Sequence, residues 1–153
     1  MRYSYVQPFV DAAQYILAEM LPDPVRPGEV RLASRSVASR GVVTIVGVTG
    51  EAEGRVLLDM APETALGVAG AMNGASFAGL DQLGKDTLAE LAGMIAGRAI
   101  SILNDAGHQL KVSPPTLLVG DHLTISGSEL EAMVVSLETS QGEVTVNVAI
   151  ATC

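Results

Sequence analysis

The sequence predicts an α+β fold, with one domain over residues 1–153, about six strands in a mostly antiparallel sheet, and three helices. Apolar residues recur at helical spacing in separate segments, and the last third of the chain alternates with period two. The strands also come in runs, without the strict alternation with helices that a parallel sheet requires. At 153 residues, 48% of them hydrophobic, the chain can bury a sizeable core. Aromatics are only 3% and Trp is absent, so Val, Leu, Ile, Ala and Met must fill that core.

The first helix follows from Val6, Phe9, Val10, Ala13, Ile16, Leu17 and Met20. "LPDPVRPG" (21–28) stops it, because three prolines and a glycine predict a loop. "EVRLASRSVA" (29–38), "GVVTIVGV" (41–48) and "GRVLLDM" (54–60) read as strands, with a turn at Thr49-Gly50. Arg31, Arg35 and Arg40 lie on or beside the first two and read as a solvated sheet edge. Pro62 and Glu63 suit the first turn of a helix over 62–74, which Asn73-Gly74 ends.

A loop through "ASFAGLDQLG" leads to a third helix, 86–103, and "NDAGHQLK" (104–111) forms a loop after it. "PPTLLVG", "HLTIS", "AMVVSLET" and "EVTVNVAIAT" are four strand candidates, the last two joined by a turn at Ser140-Gln141-Gly142. In the final strand Val144, Val146, Val148 and Ile150 alternate with Thr145, Asn147, Ala149 and Ala151.

Composition excludes several functions. A net charge of −8 argues against nucleic-acid and anionic-membrane binding, which need basic patches. The stretch "ALGVAGAMNGASFAGL" (65–80) has 16 residues, four of them Gly, which is too short and too interrupted for a membrane span. Cys153 is the only cysteine, so no intramolecular disulfide can form. "MRYSYVQPFVDAAQYILAEM" lacks a signal-peptide layout, since Pro8 and Asp11 interrupt its apolar run. Both features fit a cytoplasmic location. No phosphate-binding glycine loop and no GxSxG motif occurs. His108 and His122 fall in loops without metal-ligand spacing, so no metal or cofactor is expected.

"DTLAELAGMIAGRAISIL" (86–103) holds the candidate site. Leu88, Leu91, Ala92, Ile95, Ala99, Ile102 and Leu103 form its core stripe. Asp86, Glu90, Gly93, Gly97, Ser101 and Asn104 form the other. Glu90 stands about 40° round from Asp86 and about 6 Å along the axis. Each mid-helix glycine costs about 1 kcal/mol against alanine. From spacing alone, the stripe is an exposed carboxylate pair with two glycines that let a neighbouring helix pack close.

This helix resembles the signature helix of the CheC/CheX/FliY family of chemotaxis phosphatases. The family pattern is an Asp or Ser, three residues, a Glu, two residues, an Asn, and a proline some twenty-two residues later. Asp86 and Glu90 match it, "MIAGRA" (94–99) continues as the family does, and Pro114-Pro115 lies near the expected distance in "SPPTLLVG". Upstream, "EAEGRVLLDMAPETALGVAGAMNG" resembles the family's strand-then-helix segment, and the similarity spans roughly residues 5–150. A single copy of the motif is more like CheX than CheC.

The resemblance implies a CheX-like domain that acts on, or binds, the phosphoaspartate of a CheY-like receiver. Glu90 and the residue at 93 would be the catalytic positions, with Asp86, Glu90 and Gly97 at the docking surface. Any Mg2+ would belong to the receiver. The family's asparagine, which helps position the attacking water, is replaced by Gly93. A glycine has nothing with which to hold a water, so hydrolysis is expected to be weak or lost while docking survives. Two alternatives keep the same fold: a non-catalytic receiver-binding adaptor, or a structural dimer module. The resemblance also implies a possible homodimer.

Overall fold

The structure, a computed structural model, describes residues 3–33, 36–126 and 131–152. Helix α1 (Tyr3–Met20) leads into β1 (Arg26–Ala33), β2 (Val37–Ala38), β3 (Val42–Gly50) and β4 (Ala52–Met60). Two helices follow, α2 (Pro62–Asn73) and α3 (Gln82–Asp105). The chain ends with β5 (Leu110–Val112), β6 (Thr116–Val119), β7 (Thr124–Ile125), β8 (Ala132–Thr139) and β9 (Gly142–Thr152).

Seven strands form one sheet in the order β1-β8-β9-β4-β3-β5, with β6 also paired to β3, and every pairing is antiparallel. The expected α+β class, with three helices and a mostly antiparallel sheet, is therefore present. β2 and β7 form a separate two-stranded ribbon.

Alternation decides which face the helices cover. Val42, Val46 and Val48 on β3, Val56, Leu58 and Met60 on β4, and Val144, Val146, Val148 and Ile150 on β9 share one cluster with α1 and α3. Tyr5, Phe9 and Leu17 of α1 and Leu88 and Leu91 of α3 are fully buried in it. The opposite face is also largely closed. Val43 and Leu57 pack with Ile125 of the ribbon in a second, smaller cluster. Thr145 and Asn147, which alternation alone assigns to a polar face, are buried there.

Several boundaries differ from expectation. β1 starts at Arg26, inside the stretch read as a loop. Among the described residues it pairs only with β8, and its register shifts between Pro27 and Val30, so an edge position tolerates the proline. The reading of 29–38 as one strand fails: β1 ends at Ala33 and the next paired residues, Val37–Ala38, belong to the ribbon. Ser34 and Arg35 lie outside the described residues. Thr49 and Gly50 close β3, and the β3–β4 turn falls at Glu51. β5 occupies residues read as part of a loop, because Leu110, Lys111 and Val112 are too few to show a period. Gly74 closes α2 as expected, with a left-handed φ of 62°.

Candidate functional site

α3 begins at Gln82, four residues earlier than its apolar period suggests. Asp81 is the reason: its carboxylate accepts a hydrogen bond from Gly84 N at 2.8 Å and caps the helix. One turn on, the buried Thr87 hydroxyl donates to Leu83 O at 2.8 Å and accepts from Asn73 Nδ2 at 2.9 Å, which fastens the end of α2 to α3. On the other flank the Arg98 guanidinium lies 3.6 Å above the Tyr15 ring of α1. The helix is thus held on both sides, and its outer stripe is displayed on a rigid element.

The core stripe holds with one correction. Leu88, Leu91, Ala92, Ile95, Ala99 and Leu103 are buried, but Ile102 is 43% exposed. Ile100 is buried in its place. Near its end the buried side of the helix is the one that carries Ala99, Ile100 and Leu103, and Ile102 lies outside it.

Asp86, Glu90, Gly93, Gly97 and Ser101 do share a face open to solvent, none of them being buried. Gln82 Nε2 donates to Asp86 Oδ1 at 2.8 Å. Glu90 is exposed and makes no hydrogen bond or ion pair with any described residue. Among the described residues, a Cβ built on Gly93 would meet only Pro115 Cγ, at 3.5 Å, and one on Gly97 would meet nothing within 4 Å. No helix packs closely against the glycines, so that explanation of them is overturned. The fold does bring Gly93 beside Pro115.

Asn104 has another task. Its Nδ2 donates to Leu110 O at 3.1 Å and its Oδ1 accepts from Leu110 N at 3.0 Å, locking α3 to β5. Beside this lock, Glu51 accepts from Tyr5 Oη at 3.0 Å, contacts His108 Nδ1 at 3.1 Å and accepts from Gln109 N. The bond from Gln109 N, then the one from His108, holds the Glu51 carboxyl below its ordinary range. His108 therefore belongs to a structural clasp. His122 sits at a turn with φ 58°. Among the described residues no three His, Cys, Asp or Glu side chains group to hold a metal ion.

Leu83 escaped the sequence reading because it precedes the expected helix start. It is 56% exposed, and its spacing of three and seven residues from Asp86 and Glu90 puts it on their stripe. A cleft of about 760 Å3 runs along α2 past Leu66, Gly67, Phe77 and Gln141, and no residue of the acidic stripe lines it. A small-molecule site is concave, whereas the stripe lies on an outward helix face with none of its residues buried.

The family model described as chemotaxis phosphatase CheX matches residues 42–138, a span that contains all of α2 and α3. This chain belongs to the CheX family. The CheY-P phosphatase CheX of Thermotoga maritima is 29% identical over 121 residues, 78% of each chain. A chain of the CheX–CheY–BeF3–Mg2+ complex from Borrelia burgdorferi superposes with a TM-score of 0.85 at 33% identity, covering 97% of this chain and 99% of that one. The CheC-like protein from Shewanella sp. PV-4 superposes with a TM-score of 0.88 over 99% of both chains at 21% identity, which shows a shared fold. No helix among the described residues is long and apolar enough to cross a membrane.

Proposed function

We propose that this protein docks the acidic stripe of α3 onto the phosphorylated receiver domain of a CheY-like response regulator in the cytoplasm. The observation that carries this reading is the unpartnered Glu90 on a convex, well-braced helix, beside Asp86 and the open strip at Gly93 and Gly97. The CheX–CheY–BeF3–Mg2+ complex of the Borrelia relative supports the choice of partner. Glu90 would meet a cationic group of the receiver, and Mg2+ would be held by the receiver.

Hydrolysis of a phosphoaspartate needs a water placed in line with phosphorus, the aspartate carboxylate leaving as inorganic phosphate forms. In the family pattern an amide at position 93 helps to place that water, and Gly93 has no side chain with which to do so. Asn104 is eleven residues further, about 16 Å along the axis, and is bonded to Leu110. We infer a slow or lapsed phosphatase that retains docking. The adaptor reading is favoured by the same glycine, and the structural-dimer reading is tested by sedimentation of the chain alone.

The experiment is a titration with a beryllium-fluoride-loaded receiver, run beside a phosphate-release time course. Glu90→Ala should weaken binding, since truncating one partner of an interfacial charge pair costs about 2–5 kcal/mol. Unchanged affinity would overturn the docking role of Glu90. Fast phosphate release by the wild-type chain would overturn the inference drawn from Gly93.

A further inference from the structure

The sheet face turned away from the helices buries polar side chains. Asp59 is 6% exposed and Asn147 is 2% exposed. Asp59 is a fastener. Its Oδ1 accepts from Ser39 Oγ at 2.7 Å, and its Oδ2 accepts from Arg40 N at 3.1 Å. Ser39 Oγ accepts in turn from Gly41 N at 3.0 Å. These bonds tie the segment leaving β2 to β4.

Asn147 is different. Its Nδ2 is buried and has no hydrogen-bond partner among the described residues. A buried amide donor without an acceptor is costly. Asn147 lines a cavity of about 40 Å3 together with Asp59 and Thr145. The register pairs Leu57 with Asn147 and Asp59 with Thr145, so Asn147 and Asp59 are diagonal neighbours on one face. Such residues stand about 7–8 Å apart, which suits one molecule bridging their side chains. Arg55 Nε, also buried without a partner among the described residues, lies outside this cavity.

Charge and size select the occupant. Arg31 and Arg40 also line the cavity and oppose a cation. Asp59 opposes an anion, and Arg40 is already paired with Glu143 at 2.9 Å. A neutral molecule that both accepts and donates fits, and about 10–15 Å3 is enough for a water. A carboxylate offers about four acceptor positions, so Asp59 has capacity beyond the bonds it makes within the protein.

We propose that this cavity binds an internal water molecule, which accepts a hydrogen bond from Asn147 Nδ2 and donates one to the Asp59 carboxylate. The Thr145 hydroxyl is its third partner. The water joins β9 to the Ser39–Asp59 fastening and makes the seat of the β2–β7 ribbon continuous across three strands.

The test is a crystal structure of the full chain, fine enough to place waters, for wild type and Asn147→Leu. The wild-type map should show one ordered water within about 2.7–3.2 Å of both side chains, and the leucine variant should lose it. An empty cavity, a water unchanged in the variant, or an ion with a tight ligand shell would each overturn the proposal. Should the variant fail to fold, the wild-type map decides together with a long-lived water–amide Overhauser effect at Asn147. Absence of either signal overturns it.

Discussion

Glu90 stands in solvent on the first half of α3, bonded to no described residue, while Glu51 is held at the other end of the same helix by a tyrosine, a histidine and a backbone amide. About fifteen residues, some 22 Å, separate Glu90 from the helix end beside which Glu51 sits. An exposed carboxylate with no partner adds little to stability, so the fold does not account for Glu90. Glu51 joins the start of α1, the β3–β4 turn and the segment before β5, and folding accounts for it fully. On one helix, one carboxylate is spent on holding the fold together and the other is not.

The sharpest test of the free end is to restore what the family pattern places there. A Cβ at 93 makes only an ordinary contact with Pro115, so Gly93→Asn should be accommodated, and asparagine is a better helix former than glycine. An amide that orients water acts mainly in the transition state, so it should raise turnover more than affinity. Phosphate release from a matched phosphorylated receiver should rise by about 100-fold, the lower end of what single positioned donors contribute elsewhere. If wild type is already fast and the asparagine adds nothing, another group positions the water.

Exchanging the two carboxylates for alanine breaks or sustains the comparison itself. Glu90→Ala should leave Tm unchanged and weaken receiver binding by about 2–5 kcal/mol. Glu51→Ala should lower Tm by a few degrees and leave binding intact. Thermal melts across pH add a sign. Folding holds the Glu51 carboxyl below its ordinary value of 4.5, so its contribution is present above that pH and is lost as pH falls through the lowered folded value. Burial raises the Asp59 carboxyl above its ordinary value of 3.8, against the lowering effect of the Ser39 bond. Its linkage runs the other way: stability falls as pH rises from 3.8 through the raised folded value. The Tm difference between wild type and Glu51→Ala should therefore shrink below about pH 4.5. A difference that persists into acid would mean that Glu51 acts by packing alone.

Much of the fold was legible because period and burial coincide. The valines of β9 alternate cleanly, and the leucines of α3 mark its inner face. The errors arise where a tertiary contact overrides local pattern. The Asp81 cap extends α3 backward over Leu83, a three-residue strand forms at Leu110 because Asn104 holds it, and the buried Thr145 and Asn147 look like solvent residues until the ribbon covers them. The Asp86–Glu90–Gly93 stripe was legible from helical geometry. Its openness was not, since Gly97 facing empty space and Gly97 packed under a helix have the same sequence.

At the anchored end, Asn104→Ala removes both bonds to Leu110. At about 0.5–1.5 kcal/mol per hydrogen bond, it should cost about 1–3 kcal/mol in a denaturant titration, with receiver affinity unchanged. A loss of affinity equal to that of Glu90→Ala would show that the two ends are not separable.

The smallest expected effect separates openness from function at Gly97. A methyl there meets nothing within 4 Å, and alanine is favoured over glycine in a helix by about 1 kcal/mol. Gly97→Ala should therefore raise stability by about that amount, read as a higher denaturant midpoint with an unchanged slope. Gly97 lies seven residues, two turns, beyond Glu90 on the same stripe. If the receiver lies along that stripe, the added methyl intrudes and affinity falls while the isolated protein gains stability. Loss of binding with gain of stability is the signature of a glycine kept for a partner's approach. A variant that is more stable and binds as tightly as wild type would confine the docking surface to Asp86, Glu90 and Gly93, and would leave the glycine at 97 without a role in contact.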